Sequence, residues 1–121
     1  MVTQVTNLGR SGLYDWLFQR VSAVVLLAYV VFVAVYLLCN PQLDYAQWSA
    51  LFGQTWMRAF SSLAVLSVVG HAWIGLWAVS TDYMTTRMMG RKATVVRLLF
   101  QAVCVLVLFY YLVWGLQILW G

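Results

Sequence analysis

From Val21 to Leu43, again from Ala59 to Thr81, and from Leu98 to the last residue, the chain carries no charged side chain. Each run exceeds the ~20 residues that an α-helix needs to cross a hydrocarbon core about 30 Å thick. Within a bilayer no water serves the backbone N–H and C=O groups, so a spanning segment must satisfy them internally. The runs are long for strands and lack strict two-residue alternation, which leaves helices. The expected fold is all-α and integral to a membrane, with transmembrane helices over about 16–38, 57–80 and 97–120 in a single domain of residues 1–121. Asn40-Pro41 should end the first helix, and the polar stretch from Ser80 to Lys92 the second. The first run is longer than a signal-peptide core and no small-x-small cleavage site follows it, so it reads as a retained span.

Composition agrees. Apolar residues make up 64% of the chain and charged ones 8%, more apolar surface than a soluble domain of 121 residues could hide. The net charge of +4 does not indicate nucleic acid, because the basic residues occupy short segments between apolar runs. Cys39 and Cys104 lack Cys-x-x-Cys spacing and fall at different depths, so they read as small packing residues rather than a disulfide.

Lys and Arg set the expected orientation. Arg10 and Arg20 precede the first helix, and Arg87, Arg91, Lys92 and Arg97 lie between the second and third; Arg58 alone falls on the other side. The positive-inside rule then places the N-terminus and the second connection in the cytoplasm. The 40–57 loop and the C-terminus face the periplasm, for a multi-pass protein of a bacterial inner membrane. Tyr14, Trp16 and Phe18 suggest a segment lying at the cytoplasmic interface before the chain turns inward.

The second helix carries a polar stripe. At ~100° per residue, Ala64, Ser67, His71, Gly75, Ala78 and Asp82 fall within roughly 40° of one line. All are small or polar, so this face should meet protein or cofactor rather than lipid. His71 is the only histidine. It lies about nine residues, or roughly 14 Å, inside the expected cytoplasmic end. An ionisable side chain at that depth has three readings: a neutral imidazole hydrogen-bonded to a neighbouring helix, an axial haem ligand, or part of a proton path. A proton path calls for further titratable groups at similar depth, which the chain does not supply. A haem needs one neutral imidazole and room for the macrocycle, and Gly75, one turn along, removes the side chain that would obstruct a flat ring. A second histidine ligand would come from another copy or another subunit. Asp82 and Tyr83, at the edge of the same helix, are either a solvated helix end or a site for an amphiphile entering from lipid. A phenol there can donate to a carbonyl, with the carboxylate orienting it or relaying protons.

These residues resemble the small hydrophobic anchor subunits of succinate dehydrogenase, respiratory complex II. The matching pieces are Leu8-Gly-Arg-Ser-Gly12, Arg20-Val-Ser-Ala23, His71-Ala-Trp-Ile-Gly-Leu-Trp77, Thr81-Asp-Tyr83 and Arg97-Leu-Leu-Phe-Gln101. The resemblance covers nearly the whole chain. It implies a four-subunit enzyme in which a flavoprotein subunit oxidises succinate and an iron–sulfur subunit carries the electrons. Two sister anchors pack into one helix bundle, bind haem b and reduce ubiquinone. By position, His71 matches the axial haem ligand, Tyr83 the residue that hydrogen-bonds ubiquinone, and Asp82 its acidic neighbour. Arg20 is matched either to a haem propionate or to an ordinary positive-inside anchor. No catalytic residue for succinate itself is implied here. One departure is a connection from Met84 to Val96 that is longer and more basic than in the bacterial members, so Arg91 and Lys92 could meet the iron–sulfur subunit or lipid phosphate. The competing readings are a haem-free structural anchor, a fumarate reductase-type anchor, and a subunit of a proton-coupled transporter.

Overall fold

The computed structural model describes residues 12–121. Arg10 and most of the Leu8–Gly12 piece lie outside the described residues. Three of the helices are long and apolar enough to span a membrane.

Helix α1 runs from Gly12 to Cys39. The segment with Tyr14, Trp16 and Phe18, expected to lie at the interface before a turn inward, is instead the opening of this continuous helix. Between Gly12 and Cys39 there is no Gly or Pro to interrupt the backbone ladder. The helix stops at Asn40, whose side-chain amide donates to the Tyr36 carbonyl at 2.9 Å, just before Pro41. The following connection, expected to be a loop, contains a second helix, α2, from Tyr45 to Gly53. Asp44 caps it: its carboxylate accepts from the Gln47 N–H at 2.8 Å, while the Asp44 N–H donates to Gln47 Oε1 at 3.3 Å. Trp48, Leu51 and Phe52 are its half-buried residues, at helical spacing, and α2 packs against the start of α3.

Helix α3, Thr55–Tyr83, follows after a single residue. Next come a short helix α4 (Thr86–Met89), a 3-10 turn (Gly90–Lys92) and helix α5 (Ala93–Trp120). The turn depends on Gly90, whose φ of 71° is a conformation that side chains with a Cβ rarely adopt.

The three long helices alternate in direction, with α3 between the other two. Along the α1–α3 seam, Ser22 meets His71 near one end and Tyr29 Oη meets Ser61 Oγ at 2.7 Å further along, so the pair is antiparallel. Along α3–α5, Ser80 meets Gln101 and Ser62 meets Trp120, again antiparallel. Lipid tails are as apolar as Leu, so burial does not drive such helices together; close packing of small residues and interhelical hydrogen bonds do. Accordingly the buried residues of α3 are Met57, Ser61, Ala64, Ser67 and Ser80, while most large apolar side chains of α1 and α5 point outward. Towards the end away from the Arg-rich connection, Phe60 packs edge-on against Tyr29 and Phe32, with ring centroids 5.0 and 5.8 Å away. Arg58, the lone basic residue at that end, donates from Nε to the Phe52 carbonyl at 3.1 Å and sits 5.6 Å over the Trp120 ring. It ties α2, α3 and α5 together.

Near the Arg-rich connection the tie is a buried polar pair. Gln101 Nε2 donates to Ser80 Oγ at 2.8 Å, and the Ser80 hydroxyl donates on to the Trp77 carbonyl at 2.7 Å. Interhelical hydrogen bonds in membranes average about 0.6 kcal/mol, with a maximum near 1.7. Gln101→Leu should therefore lower stability by about 1 kcal/mol. A fall of a few degrees in the thermal midpoint of the detergent-solubilised protein would register it, and an unchanged midpoint would show that the pair contributes little.

Candidate functional site

His71 lies close to the middle of α3. The helix continues to Tyr83, further than expected, so at 1.5 Å per residue the imidazole is ~18 Å from that end and ~24 Å from Thr55. Its face of α3 is the small and polar one. Ala64 and Ser67 are buried, His71, Gly75 and Ala78 are half-buried, and Asp82 is exposed beyond the packed part of the seam.

Across from His71 stands α1, presenting Gln19 and Ser22 one turn apart on one face. Ser22 is 3% exposed, and its Oγ lies 3.0 Å from His71 Nδ1. The same hydroxyl donates to the Gln19 carbonyl at 3.1 Å, a back-bond common for Ser in helices. Among the described residues, this is the hydrogen bond made by the imidazole, so Nε2 keeps its capacity for something else. The arrangement thus contains the simplest of the three readings, a histidine bonded to a neighbouring helix, without using both ring nitrogens.

Two glycines flank the imidazole and differ in what they accommodate. At Gly70 a Cβ would lie 2.5 Å from the Phe18 ring, so the close approach of α1 explains why no side chain stands there. At Gly75 a Cβ would meet only Gln19 Nε2 at 3.7 Å, ordinary contact. Packing within this chain therefore does not demand a glycine at 75. Beside it, Gln19 Oε1 is buried and makes no hydrogen bond among the described residues. A mid-helix imidazole with a spare nitrogen and a glycine one turn away that the chain's own packing leaves unexplained fit a bulky group bound against this face. They suit a haem, whose iron takes imidazole nitrogen.

The other expected site residues stand apart from this cluster. Asp82 and Tyr83 occupy the last turn of α3, both exposed, Tyr83 at 62%. A carboxylate there faces the negative end of the helix dipole, so Asp82 does not serve to stabilise the helix. About 18 Å of helix separates Tyr83 from His71. The buried Ser80–Gln101 pair holds α5 against α3 one turn earlier and so fixes the backbone from which Asp82 and Tyr83 project. Arg20 is exposed on α1, its guanidinium 5.5 Å over the Trp16 ring and about 100° round the helix from Gln19. Arg91 and Lys92 are exposed in the 3-10 turn. Cys39 and Cys104 are both free, one exposed and one buried.

Sequence reasoning gave no role to Ser22, Gln19 or Gly70, although Ser22 lies in the Arg20–Ala23 piece that carries the resemblance. Ser22 and Gln19 are polar residues three apart in a largely apolar helix, a signal that was present. What it lacked was the rotation of α1 that turns this face to His71.

Comparison with known proteins gives the family. Residues 3–113 match the family described as succinate dehydrogenase/fumarate reductase transmembrane subunit. The hydrophobic membrane anchor subunit of succinate dehydrogenase from Coxiella burnetii is 37% identical over 116 residues, which cover 96% of this chain and 95% of that protein. With three membrane-spanning helices and a match over nearly its whole length, the chain belongs to the succinate dehydrogenase/fumarate reductase transmembrane-subunit family, as a hydrophobic membrane anchor.

Proposed function

We propose that this anchor serves a succinate:ubiquinone oxidoreductase of a bacterial inner membrane, sharing haem b with a sister anchor and contributing to the site where ubiquinone is reduced. The observation that carries the reading is His71 at mid-helix with Nδ1 committed to Ser22 and Nε2 uncommitted, beside Gly75. Nε2 of His71 would be one axial ligand, and the sister anchor would supply the other, since this chain has a single histidine. When bound, the haem supplies a one-electron store within the membrane. Gly75 leaves the edge of α3 flat, and Arg20, one turn beyond Trp16 on α1, can swing its guanidinium towards a propionate.

Quinone reduction takes two electrons, delivered by the iron–sulfur subunit, and two protons. Tyr83 suits the proton side of that reaction. Its exposed phenol, at the end of the span, would stand at headgroup depth, where it could donate to a quinone carbonyl, and Asp82 beside it could pass protons in from the aqueous phase. Succinate oxidation itself belongs to the flavoprotein subunit, so this chain is catalytic only within the assembly. The orientation that follows from the positive-inside rule puts Asp82, Tyr83 and the Arg-rich connection on the cytoplasmic side with those partners. A fumarate reductase-type anchor would use the same residues in reverse.

A haem-free anchor is favoured by one observation, that His71 already has a hydrogen-bond partner in Ser22. Gly75→Leu separates the two readings. In this chain its Cβ meets only ordinary contact, with the end of the flexible Gln19 side chain, and the subunit content of the variant shows whether the rest of the Leu is accommodated. In a gently detergent-extracted complex we expect all four subunits and a b-type spectrum from the wild type, and the same subunits with most of that absorbance lost from Gly75→Leu. A wild-type complex without b-type absorbance would overturn the haem assignment.

A further inference from the structure

We infer that Ser22 is the positioning residue for His71: its hydroxyl fixes the imidazole as the Nδ1–H tautomer and aims Nε2 out of the α1–α3 seam as the ligating nitrogen. The inference rests on the haem-ligand reading above and deepens it.

A serine hydroxyl has one proton and two lone pairs. Here the proton goes to the Gln19 carbonyl, which can only accept, at 3.1 Å. Towards His71 Nδ1, 3.0 Å away, the hydroxyl is then left to accept, so Nδ1 must carry the hydrogen. In a neutral imidazole that leaves the lone pair on Nε2. Ser22 is 3% exposed, so water does not compete for either bond. Beside it the Phe18 ring packs closely over Gly70, and Gln19 lies opposite Gly75. Ring rotation is thus opposed on the α1 side. Histidines that bind metals characteristically donate their second N–H to such a partner, which orients the ring and raises the basicity of the ligating nitrogen. In this chain the partner is a side chain on a different helix, so the relative placement of α1 and α3 sets the ligand's direction.

The test uses the intact complex carrying Ser22→Ala, Ser22→Thr or Ser22→Cys, with His71→Ala as the reference. We expect Ser22→Ala to assemble, to hold haem about 10-fold less tightly, at the low end of the range for lost outer partners, and to show a raised haem midpoint potential. The potential rises because an imidazole without its Nδ1 acceptor donates less to ferric iron. Ser22→Thr keeps the hydroxyl and should restore both values. If Ser22→Ala fails to assemble, Ser22→Cys carries the decision, since it preserves the volume and replaces the hydroxyl with a weak acceptor; it should again raise the potential. An unchanged potential in Ser22→Ala, or in Ser22→Cys where Ala does not assemble, overturns the inference, as does a Thr variant that behaves like Ala. If His71→Ala itself leaves the haem spectrum intact, the ligand reading beneath the inference is what fails.

Discussion

Replacing His71 with Ala should strip the complex of its b-type absorbance while the long helices remain in place. On the ligand reading, the substitution removes the nitrogen that this chain offers to haem iron. The loss should exceed the about 10- to 100-fold weakening that follows from removing an outer-shell partner alone. The packing consequence is smaller, because His71 is only half-buried and the Tyr29–Ser61 hydrogen bond still ties α1 to α3 further along the seam. His71→Gln sharpens the result. Gln can still hydrogen-bond to Ser22 from the same helix position, so a haem-free packing role would survive it, whereas an axial ligand would not. Haem content per flavin in the purified complex, together with the reduced-minus-oxidised spectrum, reads the outcome directly. A His71→Gln complex with undiminished haem would remove the residue from the ligand set.

The second large effect is expected at the end of α3. Tyr83→Phe deletes a single hydroxyl from an exposed ring and disturbs no packing contact of the chain. If that hydroxyl donates to the quinone carbonyl, quinone reductase activity should fall on the order of 10²-fold, the lower range for a positioned proton donor. Succinate oxidation with a soluble dye acceptor should remain near wild type, because electrons leave before reaching the membrane. The split between the two assays is what matters. Equal loss of both would mean that the end of α3 supports docking of the catalytic subunits, and retention of both would place the quinone elsewhere.

The three spans were legible because the bilayer permits so few backbone solutions: a long uncharged run has to be a helix. The polar stripe was legible for a related reason, since 3.6-residue periodicity places His71 and Gly75 on one line whatever the helix packs against. Other features depended on geometry that periodicity does not carry. Helix α2 has nine residues, too few to declare itself by periodicity, although Asp44 and Gln47 stand at capping-box spacing and marked its start. The continuous opening of α1 was misread because aromatic residues near Arg20 suggest an interface as readily as a helix. Ser22 could be seen as a polar residue in an apolar run. Its pairing with His71 depends on how α1 is rotated and shifted against α3, a three-dimensional relation between segments 49 positions apart.

Among the described residues, the contacts around His71 come from the antiparallel α1–α3 pair: Ser22 and Gln19 on one helix, Gly70 and Gly75 on the other. Helix α5 touches α3 through Ser80, Ser62 and Val65 instead. During synthesis the α1–α3 pair enters the bilayer first, so the imidazole can be aimed while the rest of the chain is still on the ribosome. Orientation of the imidazole and completion of the three-helix anchor are in that sense separable events in biogenesis.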